Sequence, residues 1–344
     1  MVTLSQLGWS AHYSQQLSLD DFERSVPARV SNVQRSGVTL LSERGEFNVA
    51  AALVPDATIA VGDWVLCSSD LLRIERILDR ASLISRMAAG TAQRMQSIAA
   101  NIDTLFVVTS CNDDFNASRL ERYLALARDA QIEPVVVLTK RDLCEDIDSI
   151  LTTLHEIAPH TSAVAVNALD GTSTQQLKDW LVPGSTVAFV GSSGVGKSTL
   201  VNTLTGSGQA TAGIRQHDAK GRHTTTSRHM IAMPSGAWLI DTPGMRELKL
   251  GAVEAGIRAT FDDIALLAQQ CKFRDCRHEG EKDCAVTAAI ASGLVSERRL
   301  ANYLKLQREA SRATQSLAQR REKERQFGKM HKRLQEQHRR EKGR

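Results

Sequence analysis

A glycine-rich turn in the second half of the chain constrains the fold more than any other feature. Residues 191–198 read Gly-Ser-Ser-Gly-Val-Gly-Lys-Ser, a full match to the phosphate-binding pattern G-x-x-x-x-G-K-[ST]. The apolar run 186–190 before it is typical of a buried strand, and residues 199–205 after it are predicted to be helical. This order of strand, loop and helix predicts an α/β domain with a mostly parallel sheet.

The residue types of this loop suit the phosphates of a nucleotide. Its glycines leave backbone N–H groups free to surround phosphate, Lys197 is expected to reach the outer phosphates, and Ser198 is expected to bind Mg²⁺. The predicted phosphate-binding residues are Gly191, Ser192, Ser193, Gly194, Val195, Gly196, Lys197, Ser198 and Thr199.

A second motif, Thr139-Lys140-Arg141-Asp142, has the chemistry to read guanine. The Asp142 carboxylate can accept hydrogen bonds from the N1–H and N2–H₂ groups of guanine, a donor pair that adenine lacks. Thr139 stands where this motif commonly has Asn, and it keeps a hydroxyl but loses the reach of an amide. The backbone N–H of Ala168, at the end of the next predicted strand, is expected to contact guanine O6. The predicted base-binding residues are Thr139, Lys140, Asp142, Asn167 and Ala168.

Two further segments match the elements that sense a γ-phosphate. Asp241-Thr-Pro-Gly244 ends a predicted strand: Asp241 is expected to hold Mg²⁺ through water, and the N–H of Gly244 to contact the γ-phosphate. Residues 220–226, Lys-Gly-Arg-His-Thr-Thr-Thr, offer three adjacent threonines for Mg²⁺, of which Thr225 is favoured.

The residue that positions the attacking water is not fixed by these motifs. Many GTPases place a Gln directly after Asp-x-Pro-Gly, but here that position is Met245, which cannot hold water by a hydrogen bond. His223 is therefore a candidate for this role, and slow intrinsic turnover is expected. The predicted catalytic residues are His223, Thr225 and Gly244.

A cluster of cysteines and a histidine follows these segments. The pattern Cys271-x₄-Cys276-x-His278-x₅-Cys284 offers three thiolates and one imidazole, which suit a closed tetrahedral Zn²⁺ site with a structural role. Clustered Cys and His in a chain without a secretory signal favour metal over disulfides.

The rest of the chain divides into regions with different patterns of apolar and charged residues. Residues from about 27 to 85 contain about five short strands, which fit an OB-fold or an SH3-like barrel. From about 100, apolar strands alternate with predicted helices, one of them capped by Ser118 and another near 173–181. Residues 252–310 read as helical. The segment from Ser311 to Arg344 contains 12 Lys/Arg and 4 Asp/Glu. We expect this tail to be a solvated helix or a disordered segment, and its positive charge suits binding to the phosphate backbone of a nucleic acid.

Composition excludes some classes of protein. With 344 residues, 42% of them hydrophobic, the chain can form two or three packed domains. Aromatic residues make up only 4%, which argues against an extended base-stacking surface. The sequence has neither an apolar run of about 18 residues nor a signal peptide. We therefore expect a cytoplasmic protein without a membrane partner, and we expect a monomer.

The order of the motifs is rotated, because the guanine-reading element comes about fifty residues before the phosphate-binding loop and not after it. Together with the zinc motif, this order resembles the circularly permuted GTPases of bacterial ribosome biogenesis, the RsgA/YjeQ family. The resemblance covers residues from about 20 to 310. It implies an N-terminal OB-fold, a permuted GTPase domain that lacks the catalytic Gln, and a helical zinc-binding domain.

The resemblance also implies a function and a division of the chain. It implies binding to the small ribosomal subunit and its rRNA late in maturation, and GTP hydrolysis that the subunit stimulates. The predicted domains are an OB-fold barrel with a short N-terminal extension (1–90), the permuted GTPase domain (91–250), the zinc-binding domain (251–310) and the basic tail (311–344).

Two other functions stay open at this point. The first is an RNA-binding module whose nucleotide site acts only as a switch, and the second is a P-loop enzyme acting on a small molecule. Stimulation of GTP turnover by small subunits distinguishes them from the main interpretation. Because Gly244 precedes Cys271 closely in the chain, we also expect the γ-phosphate sensor to reposition the zinc domain.

Overall fold

The chain begins with two short helices that lie against the first strands. The computed structural model describes residues 2–53, 59–87, 95–112, 115–206, 228–241 and 253–314. The helices are α1 (Ala11–Ser14) and α2 (Leu19–Arg24). Ser18 and Asp21 form a reciprocal capping box, which fixes the start of α2 at Leu19.

Five strands follow and confirm the short strands predicted from the sequence: β1 (Ser25–Gln34), β2 (Gly37–Ser42), β3 (Gly45–Ala50), β4 (Trp64–Ser68) and β5 (Ile74–Ile77). The long β1 pairs antiparallel with β4 through its first half and with β2 through its second, and its register shifts between Val30 and Asn32. Within the described ranges β3 and β5 do not pair with each other, so closure of these strands into an OB-fold barrel stays a prediction.

A hairpin that the sequence patterns did not predict comes next. It consists of β6 (Leu83–Met87) and β7 (Met95–Ala100), which pair antiparallel as a separate two-stranded sheet. The predicted domain boundary at residue 90 falls between these paired strands. The division of the chain into domains stays a prediction.

The sheet that carries the predicted nucleotide motifs is formed by β8 (Thr104–Ser110), β9 (Glu133–Thr139), β10 (Ser162–Ala165), β11 (Thr186–Gly191), β12 (Arg228–Ala232) and β13 (Trp238–Asp241). Its order is β10-β9-β8-β11-β13-β12, and only β12 runs antiparallel to its neighbour. The mostly parallel sheet is confirmed. The sequence patterns missed β12, which also pairs with β1 and so joins the two groups of strands into one sheet.

Helices cover both faces of this sheet, as predicted. They are α3 (Ala117–Asp129), α4 (Ile147–Ile157), α5 (Gly171–Thr174) and α6 (Lys197–Thr205). Successive residues of β8 point to opposite faces of the sheet: Leu105 packs on the side of α3 and α4, and Phe106 packs on the side of α6.

Three predicted helix features need correction. Ser118 does not cap α3, because the Asn116 side chain accepts the hydrogen bond from the N–H of Arg119 and the helix begins one residue before Ser118. The helix predicted near 173–181 is the short α5 followed by a 3₁₀ segment, Gln175–Trp180. Helix α6 begins at Lys197, two residues earlier than predicted.

The C-terminal part is helical, as predicted: α7 (Glu254–Thr260), α8 (Asp262–Ala268), α9 (Ala285–Ala291) and α10 (Glu297–Thr314). These helices share one hydrophobic core with β8, β9 and α3. Gly256 of α7 lies directly on α3, where an added Cβ would be 2.0 Å from the carbonyl oxygen of Ala125. Most of the predicted basic tail, 315–344, lies outside the described residues. Where the chain is described, it contains no helix with the length and apolar character needed to cross a membrane.

A buried ion cluster joins α3 to the C-terminal helices. Glu121 of α3 is 0% exposed, and its carboxylate accepts hydrogen bonds from Arg298, Arg299 and Asn302 of α10. Arg299 also pairs with Asp263, donates to the carbonyl oxygens of two further elements, and stacks on Phe261 at 4.8 Å. Each buried charge is therefore paired and hydrogen-bonded, as burial requires.

A second buried cation, Arg29 of β1, holds the N-terminal segment to the sheet. Its guanidinium is 1% exposed and donates to the carbonyl oxygens of Leu7 (2.5 Å) and Asn101 (3.2 Å) and to the hydroxyl of Thr186 (2.6 Å), the first residue of β11. Burial lowers the pKa of Arg29, an effect that the nearby Tyr13, Asp103 and Asp63 oppose. One side chain thus fixes three distant segments.

Replacing Glu121 tests the buried cluster. Glu121→Ala leaves the buried Arg299 without one of its two carboxylates, so we expect the free energy of unfolding to fall by about 3–5 kcal/mol. Urea denaturation followed by circular dichroism measures this loss. Glu309→Ala, which removes the half-exposed bridge to Arg122, is the matched control and is expected to cost about 1 kcal/mol or less. Equal losses in the two variants would contradict the assignment.

Candidate functional site

The glycine-rich loop joins β11 to α6 at the carboxyl edge of the sheet. Gly191 lies against β8, where an added Cβ would be 2.1 Å from the carbonyl oxygen of Val108. Gly194 and Gly196 have φ angles of 82° and 88°, in the left-handed region that favours glycine. Ser193 and Gly194 are exposed. The loop therefore has the turn that the motif requires and an open surface for a ligand.

The start of α6 is arranged to bind an anion. No side chain caps this helix at Gly196, and the N-terminus of a helix favours an anion such as phosphate. The Nζ of Lys197 donates to the carbonyl oxygen of Gly191 at 2.7 Å and to that of Ser192, which holds the ammonium over the loop. Ser198 is exposed and Thr199 half-buried beside it.

The guanine-reading motif lies next to this loop. Thr139 ends β9, and its hydroxyl is 2.5 Å from the carbonyl oxygen of Val195 in the phosphate-binding loop. The shorter Thr side chain therefore still connects the two motifs. Lys140 takes a left-handed conformation with φ of 58°, and the 3₁₀ turn after it leaves Asp142 exposed at the sheet edge.

The segment after β10 completes the same edge. The N–H of Arg141 donates to the carbonyl oxygen of Val166 at 3.3 Å, which brings this segment beside the guanine-reading motif. The Asn167 side chain accepts a hydrogen bond from the N–H of Leu169 and so shapes the turn. Thr203 of α6 donates to the carbonyl oxygen of Ala168 at 2.6 Å. The structure thus brings Asn167 and Ala168 to the two other motifs.

Asp241 ends β13, the parallel neighbour of β11, and is half-buried. Parallel neighbours end at the same edge, so Asp241 lies on the side of the sheet where α6 begins. The predicted catalytic residues His223, Thr225 and Gly244 lie outside the described residues.

One residue at this site was missed by sequence reasoning. Arg119, in the first turn of α3, donates from its guanidinium to the hydroxyl of Ser192 in the phosphate-binding loop. The side chain is half-buried. Arginine is common on the surface of an amphipathic helix, and no motif marks this one, so the sequence held no signal for the contact.

The predicted metal ligands also come together. The three sulfurs of Cys271, Cys276 and Cys284 and a ring nitrogen of His278 all lie within 4.8 Å of one another. The Cys271 and Cys284 sulfurs are 3.9 Å apart, and Nδ1 of His278 is 3.4 Å from the Cys284 sulfur. Two sulfurs bound tetrahedrally to one Zn²⁺ at 2.3 Å would be about 3.8 Å apart, so the donor set fits a tetrahedral metal.

The backbone around the cluster turns sharply to aim these ligands. His278 and Asp283 have φ angles of 61° and 59°, and the Glu281 carboxylate accepts hydrogen bonds from the N–H groups of Arg277 and Glu279. Burial alone would raise the pKa of Cys284, but hydrogen bonds from Thr287 and His278 lower it to about 6. These hydrogen bonds favour the thiolate of Cys284, the form that binds metal.

Comparisons with known proteins agree with this geometry. A family model described as RsgA GTPase matches residues 77–251. The chain is 50% identical over 330 residues to the small ribosomal subunit biogenesis GTPase RsgA 2 of Vibrio parahaemolyticus, covering 95% of this chain and 91% of the relative. The crystal structure of YjeQ from Thermotoga maritima matches with a TM-score of 0.62 and 25% identity, over 82% of this chain and 97% of that one.

Two further matches concern the fold. The crystal structure of YloQ, described as a circularly permuted GTPase, matches with a TM-score of 0.61 and 23% identity, over 85% of this chain and 96% of that one. A model described as ABC transporter matches residues 175–342, less than half of the chain. That stretch contains the phosphate-binding loop, a motif of many nucleotide-binding proteins, but not the guanine-reading motif at 139–142. The chain has the circularly permuted P-loop GTPase fold and belongs to the RsgA GTPase family.

Proposed function

We propose that this protein binds and hydrolyses GTP at the carboxyl edge of the parallel sheet, and that it does so in the maturation of the small ribosomal subunit. The observation that carries the proposal is the bond between Thr139 and Val195, because it joins a base-reading motif to a phosphate-binding loop. The names of the curated relatives, small ribosomal subunit biogenesis GTPases, support the cellular role.

The phosphate side of the site would be formed by the loop 191–199. Its N–H groups and Lys197 would bind the phosphates, and Ser198, Thr225 and Asp241 would hold Mg²⁺, directly or through water. Bound there, Mg²⁺ would neutralise charge on the β- and γ-phosphates. The N–H of Gly244 would contact the γ-phosphate.

The base side would be formed by Asp142, Lys140 and the N–H of Ala168. Asp142 would accept both guanine donors, which makes GTP the substrate rather than ATP. His223 would position the attacking water, because Met245 cannot do so. With no Gln at that position, turnover of the isolated protein should be slow, and a partner that orders the site should raise it.

The other parts would bind the partner. We propose that the cluster at Cys271, Cys276, His278 and Cys284 holds one structural Zn²⁺, and that the strands β1–β5 close into an OB-fold within residues 1–90. This barrel, the zinc-binding domain (251–310) and the basic tail (311–344) would contact rRNA, flanking the GTPase domain (91–250). We propose a cytoplasmic monomer.

Turnover with and without small ribosomal subunits tests the function. We expect purified small subunits to raise the GTP hydrolysis rate at least about tenfold, since ordering a transition-state contact in trans can supply 10³-fold or more. Phosphate release measured at saturating GTP gives both rates, with large subunits as the control. Equal rates under all conditions would leave a nucleotide switch without partner-driven turnover and would reject the proposal.

Replacing Asp142 tests the base site. Asp142→Asn replaces one of the two acceptor oxygens of the carboxylate with an NH₂ donor, so affinity for GTP should fall about a hundredfold or more while affinity for xanthosine triphosphate rises. Competition against a fluorescent nucleotide measures both. Asp146→Asn, in the cap of α4, is the matched control and should leave the preference for guanine unchanged. A variant at Asp142 that still prefers GTP would show that the base binds elsewhere.

Removing a ligand tests the metal site. Cys276→Ser should abolish the one equivalent of zinc in the purified protein and lower its thermal midpoint, because binding free energy of a structural zinc is folding free energy. Elemental analysis and thermal denaturation measure these effects. Cys144→Ser, at a half-buried cysteine outside the cluster, should keep the zinc. Unchanged zinc in the Cys276 variant would contradict this ligand set.

A further inference from the structure

Helix α3 contacts the phosphate-binding loop at its first turn. The guanidinium of Arg119 donates to the hydroxyl of Ser192, whose carbonyl oxygen accepts a hydrogen bond from Lys197. Two cations from different elements therefore hold the same loop residue. This contact brings a positive charge of α3 to the loop that is predicted to bind phosphate.

The same turn of α3 holds the C-terminal helix α10 on another side. Glu121 follows Arg119 by two residues, which is a rotation of about 200° around the helix axis. Its carboxylate accepts hydrogen bonds from Arg298 at 3.0 Å, from Arg299 at 2.9 Å and from Asn302 at 2.6 Å. Arg298 also donates to the hydroxyl of Ser118, the residue before Arg119. Helix α3 thus lies between the loop and α10.

The packing around α3 makes it a stiff connection. Leu120 and Leu124 are buried in the shared core. α7 approaches α3 so closely that only a glycine fits at position 256. The Asp129 carboxylate accepts the N–H of Gly256 at 3.2 Å, which fixes α7 at the other end of α3. Densely packed helices move as units and not by local bending, so a displacement of α3 would reach both α7 and α10.

We propose that Arg119 is a positioning residue that ties the phosphate-binding loop to α3, and that α3 transmits the nucleotide state to α10 through Glu121. GTP has one phosphate more than GDP, so it attracts the guanidinium of Arg119 more strongly. This pull competes with the Ser192 contact and shifts the turn that also bears Glu121. The route is separate from the segment 242–252 that leads from β13 to α7. It rests on GTP binding at the loop, which is part of the proposed function.

Hydrogen exchange of the full-length protein tests the connection. Exchange rates of amides in α10 are measured once with saturating GDP and once with a saturating non-hydrolysable GTP analogue. In the wild type the ratio of the two rates should be about fivefold or more, the low end of coupling between linked sites. Arg119→Met should reduce this ratio to about one, while Arg119→Lys, which keeps the charge, should retain part of it. Arg298→Met removes one of the three donors that α10 offers to Glu121, so it should lower this ratio while GTP turnover stays within about twofold of the wild type.

Matched controls separate a connection from a loss of stability. Arg44→Met removes an exposed arginine that makes one hydrogen bond in the β1–β5 region, and it should leave the ratio unchanged. Thermal midpoints and nucleotide affinities are measured on the same samples. Three outcomes would reject the connection through α3 and leave the proposed function standing: an unchanged ratio in Arg119→Met, an equal loss in the methionine and lysine variants, or a ratio of about one in the wild type. Failure of the wild type to bind GTP would overturn the proposed function as well.

Discussion

The buried guanidinium of Arg29 is the interaction on which the arrangement of this protein depends most. Arg29 belongs to β1, and its guanidinium reaches acceptors in three other segments: Leu7 in the N-terminal segment, Asn101 directly after β7 and Thr186 at the start of β11. Gly8 approaches both the guanidinium and Gly184 so closely that a Cβ added to Gly8 would lie 2.7 Å from the guanidinium and 2.6 Å from the carbonyl oxygen of Gly184. Because an unpaired buried charge is so costly, these segments can hardly rearrange independently. The strand that leads into the phosphate-binding loop is therefore fixed at its start by the N-terminal part of the chain.

Much of the sheet could be predicted because its strands follow simple rules. Apolar runs such as 104–109 and 134–139 can be recognised without knowing which strands they pair with, and the motifs with fixed spacing lie at the strand ends, where the nucleotide site is predicted. β12 was missed because it owes its place to pairing with β1, nearly two hundred residues away in the chain. The cap of α3 was misplaced by two residues because Ser and Asn both cap helices well, and only the backbone conformation decides between them.

The candidate site was predictable in its motifs but not in its connections. Glycine spacing and ligand spacing identified the phosphate-binding loop and the Cys/His cluster, since both depend on local geometry. Nothing local indicates that Arg119 reaches Ser192, or that Glu121 is fully buried against Arg299, because these pairs are separated by 73 and 178 residues in the chain. In a helix, a charged residue that pairs across a core has the same pattern as one that faces solvent. Long-range electrostatic contacts are therefore what the sequence could not reveal.

The continuous sheet has a consequence for the order in which the protein is made. A ribosome synthesises β9 and β10, beside which the predicted base-binding residues lie, before β11. β11 then pairs with β8 on one side and gains β13 on the other side only later. β1 is among the first elements to be made, yet the part of its edge at Asn32 and Val33 that pairs with β12 has no partner until residues 228–232 have been made. Until then that edge is an open template for unwanted strand pairing. The rotated order of motifs thus gives the nascent chain a long interval in which its first strands need protection, and it delays a complete nucleotide site until most of the protein has been translated.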